Sequence, residues 1–175
     1  MKIVIASFGR CGSTLVAEAV HQAFPELPYC FERYVKDFPE EGVIKTHCLA
    51  PLELEPGVKY LYCYRSPLLS VISAHSQPED FQQLHYANLG ADIANRGHWP
   101  RVDVLNLKGN YLSWRLHQGK VFFLRYADIW EQKRKLADYL DREIPIPAPT
   151  PRETVFDKNN PSHLQACLTY ENSWL

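Results

Sequence analysis

The sequence predicts an α/β fold, a three-layer arrangement in which a mainly parallel sheet is flanked by helices. Three observations support this. Short, continuous apolar runs recur at residues 3–6, 43–46, 59–65 and 121–126, as in strands buried on both faces. Segments with apolar residues at helical spacing fall between them. Proline and glycine punctuate the connections. At 175 residues the chain is expected to form one domain, 1–175, with a core that needs no disulfide or structural metal.

The elements follow in order. Ile3, Val4, Ile5 and Ala6 form the first strand. This run is too short for the apolar region of a signal peptide and no small-residue cleavage site follows, so a strand is expected at once. A helix fits residues 13–24, with Leu15, Val16, Ala19, Val20, Ala23 and Phe24 on one face, and Pro25 and Pro28 end it. Residues 43–46 are a second strand ending at His47, residues 51–57 are a connection, and residues 59–65 are a third strand. Ser66-Pro67 reads as an N-cap followed by proline at the first helical position, opening a helix through Leu68, Leu69, Val71, Ile72 and Ala74. Residues 76–107, punctuated by Pro78, Gly90, Gly97 and Pro100, leave room for short helices. A helix is expected over 107–117, stopped by Gly119, and a strand over 121–126. Asp128-Ile129-Trp130-Glu131 has the form of a capping box for a helix reaching Leu140. Prolines make 144–151 irregular, and the polar tail from Arg152 shows no clear pattern. Trp114, Phe122, Phe123 and Trp130 are expected in the core, and His21, His85, His98, His117 and His163 at the surface or satisfied locally.

Composition narrows the function. Nineteen basic and twenty acidic residues leave a net charge of −1, against a general nucleic-acid binder. No apolar run approaches the roughly 20 residues that span a membrane. Five cysteines, odd in number and without a C-x-x-C pair, suggest reduced thiols and a cytoplasmic location. The seven histidines lack metal-ligand spacing, so no metal is expected.

Three motifs fall at predicted strand ends, the rim where ligands bind in such sheets. Gly9-Arg10-Cys11-Gly12-Ser13-Thr14 joins a buried strand to an amphipathic helix. Its glycines permit a tight turn, the helix N-terminus supplies free N–H groups, and the hydroxyls add donors, which together make an anion cradle. It is not a Walker A loop, because Gly12 stands where the lysine belongs, and Arg10 is the available cation. Cys11 in such a loop could have a lowered pKa. In Lys45-Thr46-His47 a neighbouring lysine disfavours imidazolium, and a neutral imidazole is a competent general base. Arg65 closes a strand and Ser73 follows two turns into the next helix, a pair able to hold a phosphate.

The order and spacing of these motifs, SFGRCGSTL followed by the run from Val43 through His75, resemble the sulfotransferases that use 3′-phosphoadenylyl sulfate (PAPS). The resemblance implies a P-loop-like sulfotransferase fold. By it, the first loop (Arg10, Cys11, Gly12, Ser13, Thr14) takes the 5′-phosphosulfate, His47 is the catalytic base, and Arg10 and Lys45 stabilise the leaving phosphate. Arg65 and Ser73 hold the 3′-phosphate. Residues 107–129 look like that family's later helix–strand segment, which puts Tyr126 near the adenine. The implied reaction moves a sulfuryl group from PAPS to a small-molecule or glycan hydroxyl, leaving 3′,5′-ADP and using no metal. Leu69 and Ala127 depart from the family's aspartate and glutamate, and its glycine- and lysine-rich segment is not visible around Lys158. Two rival readings stay open: a non-catalytic nucleotide- or partner-binding module, and a Mg-dependent nucleotide kinase.

Overall fold

A computed structural model describes residues 1–150 and 154–170. Its centre is a five-stranded sheet of β1 (Lys2–Ser7), β2 (Tyr29–Glu32), β3 (Gly42–Thr46), β4 (Lys59–Tyr64) and β5 (Val121–Arg125). Every strand pair is parallel and the order is β2-β3-β1-β4-β5. The helices are α1 (Ser13–Ala23), α2 (Pro67–His75), α3 (Glu79–Leu89), α4 (Leu107–Arg115), α5 (Lys133–Leu140) and α6 (Pro161–Tyr170).

Strand β1 is buried along its whole length, which is why it reads as an unbroken apolar run. Its residues divide between two cores. Ile3 and Ile5 pack with Val16 and Val20 of α1 and Leu136 and Leu140 of α5. Val4 and Ala6 pack on the other face with Val71 of α2, Trp114 of α4 and Ala166 of α6. Trp114 is fully buried, with its ring centroid 6.0 Å from that of Tyr60 and 5.8 Å from that of Tyr62. Helices therefore cover both faces, as expected.

The expected start of α2 is present: Pro67 is the first helical residue, and the Leu69 N–H donates to Ser66 Oγ at 3.4 Å. The capping box at Asp128 is not. Tyr126–Asp128 forms a single 3₁₀ turn, and α5 starts at Lys133 without a side-chain cap. Tertiary contacts override the local signal: Ile129 is buried against the α1–α5 core, and Trp130 Nε1 donates to the Pro147 carbonyl at 2.8 Å. Phe122, Phe123 and Trp130 are partly buried rather than core. Strand β2, α3 and α6 lie where no regular element of that length is expected. Residues 144–150 contain no helix or strand, and Pro151 and Arg152 lie outside the described residues. Helix α6 is anchored by Tyr170 Oη and Thr169 Oγ1, which donate to the Val102 and Pro100 carbonyls, each at 2.9 Å.

All five cysteines are free. No helix among the described residues is long and apolar enough to cross a membrane.

Candidate active site

The sheet order sets the three motifs side by side. Strands β3, β1 and β4 are adjacent, with Ala6 opposite Thr46 and Ser7 opposite Cys63, so the segments after them leave from one rim.

After β1 the backbone turns through left-handed conformations at Gly9 (φ +85°), Arg10 (φ +55°) and Gly12 (φ +80°). Glycine adopts this region freely, whereas at Arg10 it costs about 1 kcal/mol. Ser7 ties the turn together: its Oγ accepts from the Gly9 N–H at 3.2 Å and donates to Ser13 Oγ at 3.0 Å. Helix α1 then begins at Ser13 with Gly12 as its N-cap, which has no side chain to satisfy the first-turn N–H groups. Those donors and the positive end of the helix are the features of an anion-binding helix start. Cys11 corrects one expectation. Its thiol is fully buried, donates to the Cys63 carbonyl at 3.2 Å, and is pushed up to about 12 by burial. It is held away from the reactive thiolate range.

His47 follows β3 and is buried. Its Nδ1 lies 2.9 Å from the Ser7 carbonyl oxygen and 3.0 Å from Ser7 Oγ. A carbonyl can only accept, so Nδ1 carries the proton and Nε2 keeps its lone pair. Asn110 of α4 fixes the backbone here: its Nδ2 donates to the His47 carbonyl at 2.8 Å and the Cys48 carbonyl at 3.1 Å, and its Oδ1 accepts from Tyr62 Oη at 2.7 Å. Burial, then Lys45, then His85 bring the His47 pKa down to about 3. The lysine thus acts in the expected direction but second to desolvation.

His85, expected at the surface or satisfied locally, stands against this group. Its ring centroid is 6.0 Å from that of His47, and it closes over Gly9 so tightly that a Cβ there would overlap it. Burial and the nearby Arg10 lower its pKa to about 4. Lys45 is half-buried with Nζ 5.4 Å from the Phe31 ring centroid, and burial lowers its pKa.

These shifts predict a pH response. The folded chain keeps His47 and His85 neutral well below pH 6.5, while the unfolded chain protonates both near that pH. Stability is therefore complete above about pH 7 and falls as the pH drops toward 4. The loss is up to about 1.4 kcal/mol per pH unit for each histidine. Urea midpoints between pH 7.5 and 5 should fall in wild type and less steeply in His85→Gln, and equal slopes would refute the assignment.

The third motif converges on Arg10. Its Nε donates to Ser73 Oγ at 3.1 Å, and Arg65 Nη1 donates to the Arg10 carbonyl at 3.4 Å. The buried Arg65 guanidinium lies 5.7 Å from the Tyr126 ring centroid, and the Tyr126 ring abuts Gly12.

Three cavities open around these residues. One of about 240 Å³ is lined by Arg10, Gly12, Ser13, Thr14, Lys45 and His47, with His85 and Phe81 opposite, and has no carboxylate in its wall. A second of about 640 Å³ shares Arg10, Thr14 and Gln77 with the first and adds Ser73 and Ser76. A third of about 440 Å³ shares only His47 and Asn88 with the first.

No protein-family model matches the chain, and no curated protein matches its sequence. Among solved structures, mouse sulfotransferase SULT7A1 complexed with PAP matches at a TM-score of 0.50 over 85% of this chain, with 17% identity. This chain has the sulfotransferase fold. It spans 60% of the length of the mouse chain.

Within this sulfotransferase fold, Arg10, Gly12, Ser13, Thr14, Lys45 and His47 share one cavity, and Ser73, Arg65 and Tyr126 join them through contacts with Arg10 and Gly12. Sequence reasoning missed His85 and Asn110. His85 lies one turn before Leu89 on a helix with little apolar periodicity. Asn110 gives no signal of its own, because its role comes from backbone carbonyls 62 and 63 residues away.

Proposed function

We propose that the chain transfers a sulfuryl group from PAPS to an acceptor hydroxyl. The observation that carries this reading is the position of His47, neutral and with Nε2 unprotonated, in a wall shared by two unlike cavities. One is cationic and rich in N–H donors. The other is mostly apolar. A base between an anion site and a hydroxyl pocket suits group transfer to oxygen.

His47 Nε2 takes the hydroxyl proton as the acceptor oxygen bonds to sulfur and the bond from sulfur to the phosphate oxygen breaks. Arg10, Lys45 and the N–H groups of Ser13 and Thr14 stabilise the charge left on that oxygen. PAPS supplies the sulfuryl group and leaves as 3′,5′-ADP. The cavity containing Ser73 and Arg10, with Arg65 beside it, offers cations and a hydroxyl to the 3′-phosphate, and Tyr126 offers a ring face to the adenine. The match to a sulfotransferase complexed with PAP supports this assignment. No carboxylate stands in the first cavity to hold a magnesium ion, which favours this reading over a kinase.

Calorimetric titration with 3′,5′-ADP, beside Mg-ATP, tests it. Metal-independent binding of 3′,5′-ADP is expected, weakened by about tenfold or more in Arg65→Ala with the loss of a charge-assisted contact. Binding of Mg-ATP alone, or of neither nucleotide, would overturn the reading. Unchanged affinity in Arg65→Ala would remove that residue from the nucleotide site.

A further inference from the structure

We propose that the acceptor is an amphipathic hydroxyl compound that also carries a carboxylate or another oxyanion, and that Arg33 selects it. This inference rests on the sulfuryl-transfer reading and concerns the third cavity. That cavity shares His47 with the anion cavity, so a hydroxyl held in it can meet the base. Val35, Leu49, Leu89 and Leu105 make much of its wall apolar, no aspartate or glutamate lines it, and Arg33 is its one full positive charge.

Arg33 follows directly on β2 and is exposed. Among the described residues it makes no ion pair, although Glu32 and Asp37 are close in sequence. Its hydrogen bond is a long one, from Nη2 to Asn88 Oδ1 at 3.4 Å, and Asn88 lines both the anion cavity and this one. Three of the four ion pairs among the described residues lie at 2.6–2.8 Å, so this guanidinium is weakly engaged by comparison. Next to it, Lys36 Nζ stands 5.7 Å from the ring centroid of Tyr34, which also lines the cavity, so a second positive charge lies beside the lining. A guanidinium without a carboxylate, beside an apolar wall, recognises an oxyanion on an apolar frame. A cationic acceptor would be repelled, and a neutral one would leave Arg33 unused. The volume of about 440 Å³ suits a small molecule.

Three para-substituted phenols of similar size and different charge test the proposal: 4-hydroxyphenylacetate, 4-ethylphenol and tyramine, titrated by calorimetry into the chain with and without 3′,5′-ADP. The acid should bind tightest, about tenfold or more above tyramine, as one charge-assisted contact provides. Arg33→Gln should level the series and Arg33→Glu should invert it, and the exposed position lets both variants fold. An acid that binds no tighter than 4-ethylphenol, or an order unchanged in Arg33→Glu, overturns the proposal. If 3′,5′-ADP binds and the ranking is absent, this proposal alone fails. If the ranking holds and 3′,5′-ADP does not bind, the transfer reading fails and the charge preference of the cavity stands.

Discussion

Replacing His47 by alanine is expected to lower turnover by roughly 10²–10⁴ while leaving 3′,5′-ADP affinity within a few-fold of wild type. The asymmetry follows from the geometry. In the proposed reaction His47 spends Nδ1 on the Ser7 carbonyl and keeps Nε2 for the hydroxyl proton, whereas the anion contacts would come from Arg10, Lys45 and the start of α1. Release of 3′,5′-ADP from PAPS with a phenol as acceptor gives the rate, and calorimetry gives the affinity. His47→Gln separates chemistry from packing, because an amide can keep a donor on the Ser7 carbonyl but cannot take a proton at pH 7. Wild-type turnover in either variant would exclude His47 as the base.

Gly12→Ala should damage both stability and nucleotide binding. The backbone at Gly12 is left-handed, and a Cβ there would also overlap the Tyr126 ring. The strain alone costs about 1–2 kcal/mol. The displaced ring is the one facing the Arg65 guanidinium, so the loop and the third motif are disturbed together. Affinity for 3′,5′-ADP should fall by about tenfold or more, the scale of one lost charged contact. Gly57 provides the control: it has the same φ of +80° with nothing within 4 Å of an added Cβ. Gly57→Ala should lose the strain part alone, about 1–2 kcal/mol, and keep its affinity. Equal affinities in the two variants would show that the Tyr126–Gly12 contact does not shape the nucleotide site.

Much of this was legible in the sequence because burial on both faces writes strands as apolar runs. β1, β3, β4 and β5 all announce themselves, and the ends of the first three carry the three motifs. β2 does not, because Tyr29-Cys30-Phe31-Glu32 lies at the sheet edge with alternating exposure and little apolar continuity. Helix α3 carried local signals that outweigh its weak periodicity: Pro78 before it, Glu79 and Asp80 in its first turn, and Gly90 in left-handed conformation at its end. The box at Asp128 failed for the opposite reason, since burial of Ile129 decided what the local pattern could not. At the site, residues at strand ends and on the helices directly after them could be read, and His85 and Asn110, which arrive from helices distant in sequence, could not.

The bonds that assemble the site join residues far apart in the chain: Ser7 with His47 at a separation of 40, Arg10 with Ser73 at 63, and Asn110 with His47 at 63. The shortest contiguous fragment that holds all three pairs runs from residue 7 to residue 110, so a chain unfolded over that span has no assembled rim. Any ligand of this rim is thereby a ligand of the complete native state alone. Its free energy of binding adds in full to the cooperativity of folding, about 2.7 kcal/mol at a hundredfold excess over Kd. A shift in melting temperature then serves as a direct gauge of occupancy, and under the proposed function a scarce nucleotide would become a determinant of how long the chain survives unfolded-state proteolysis.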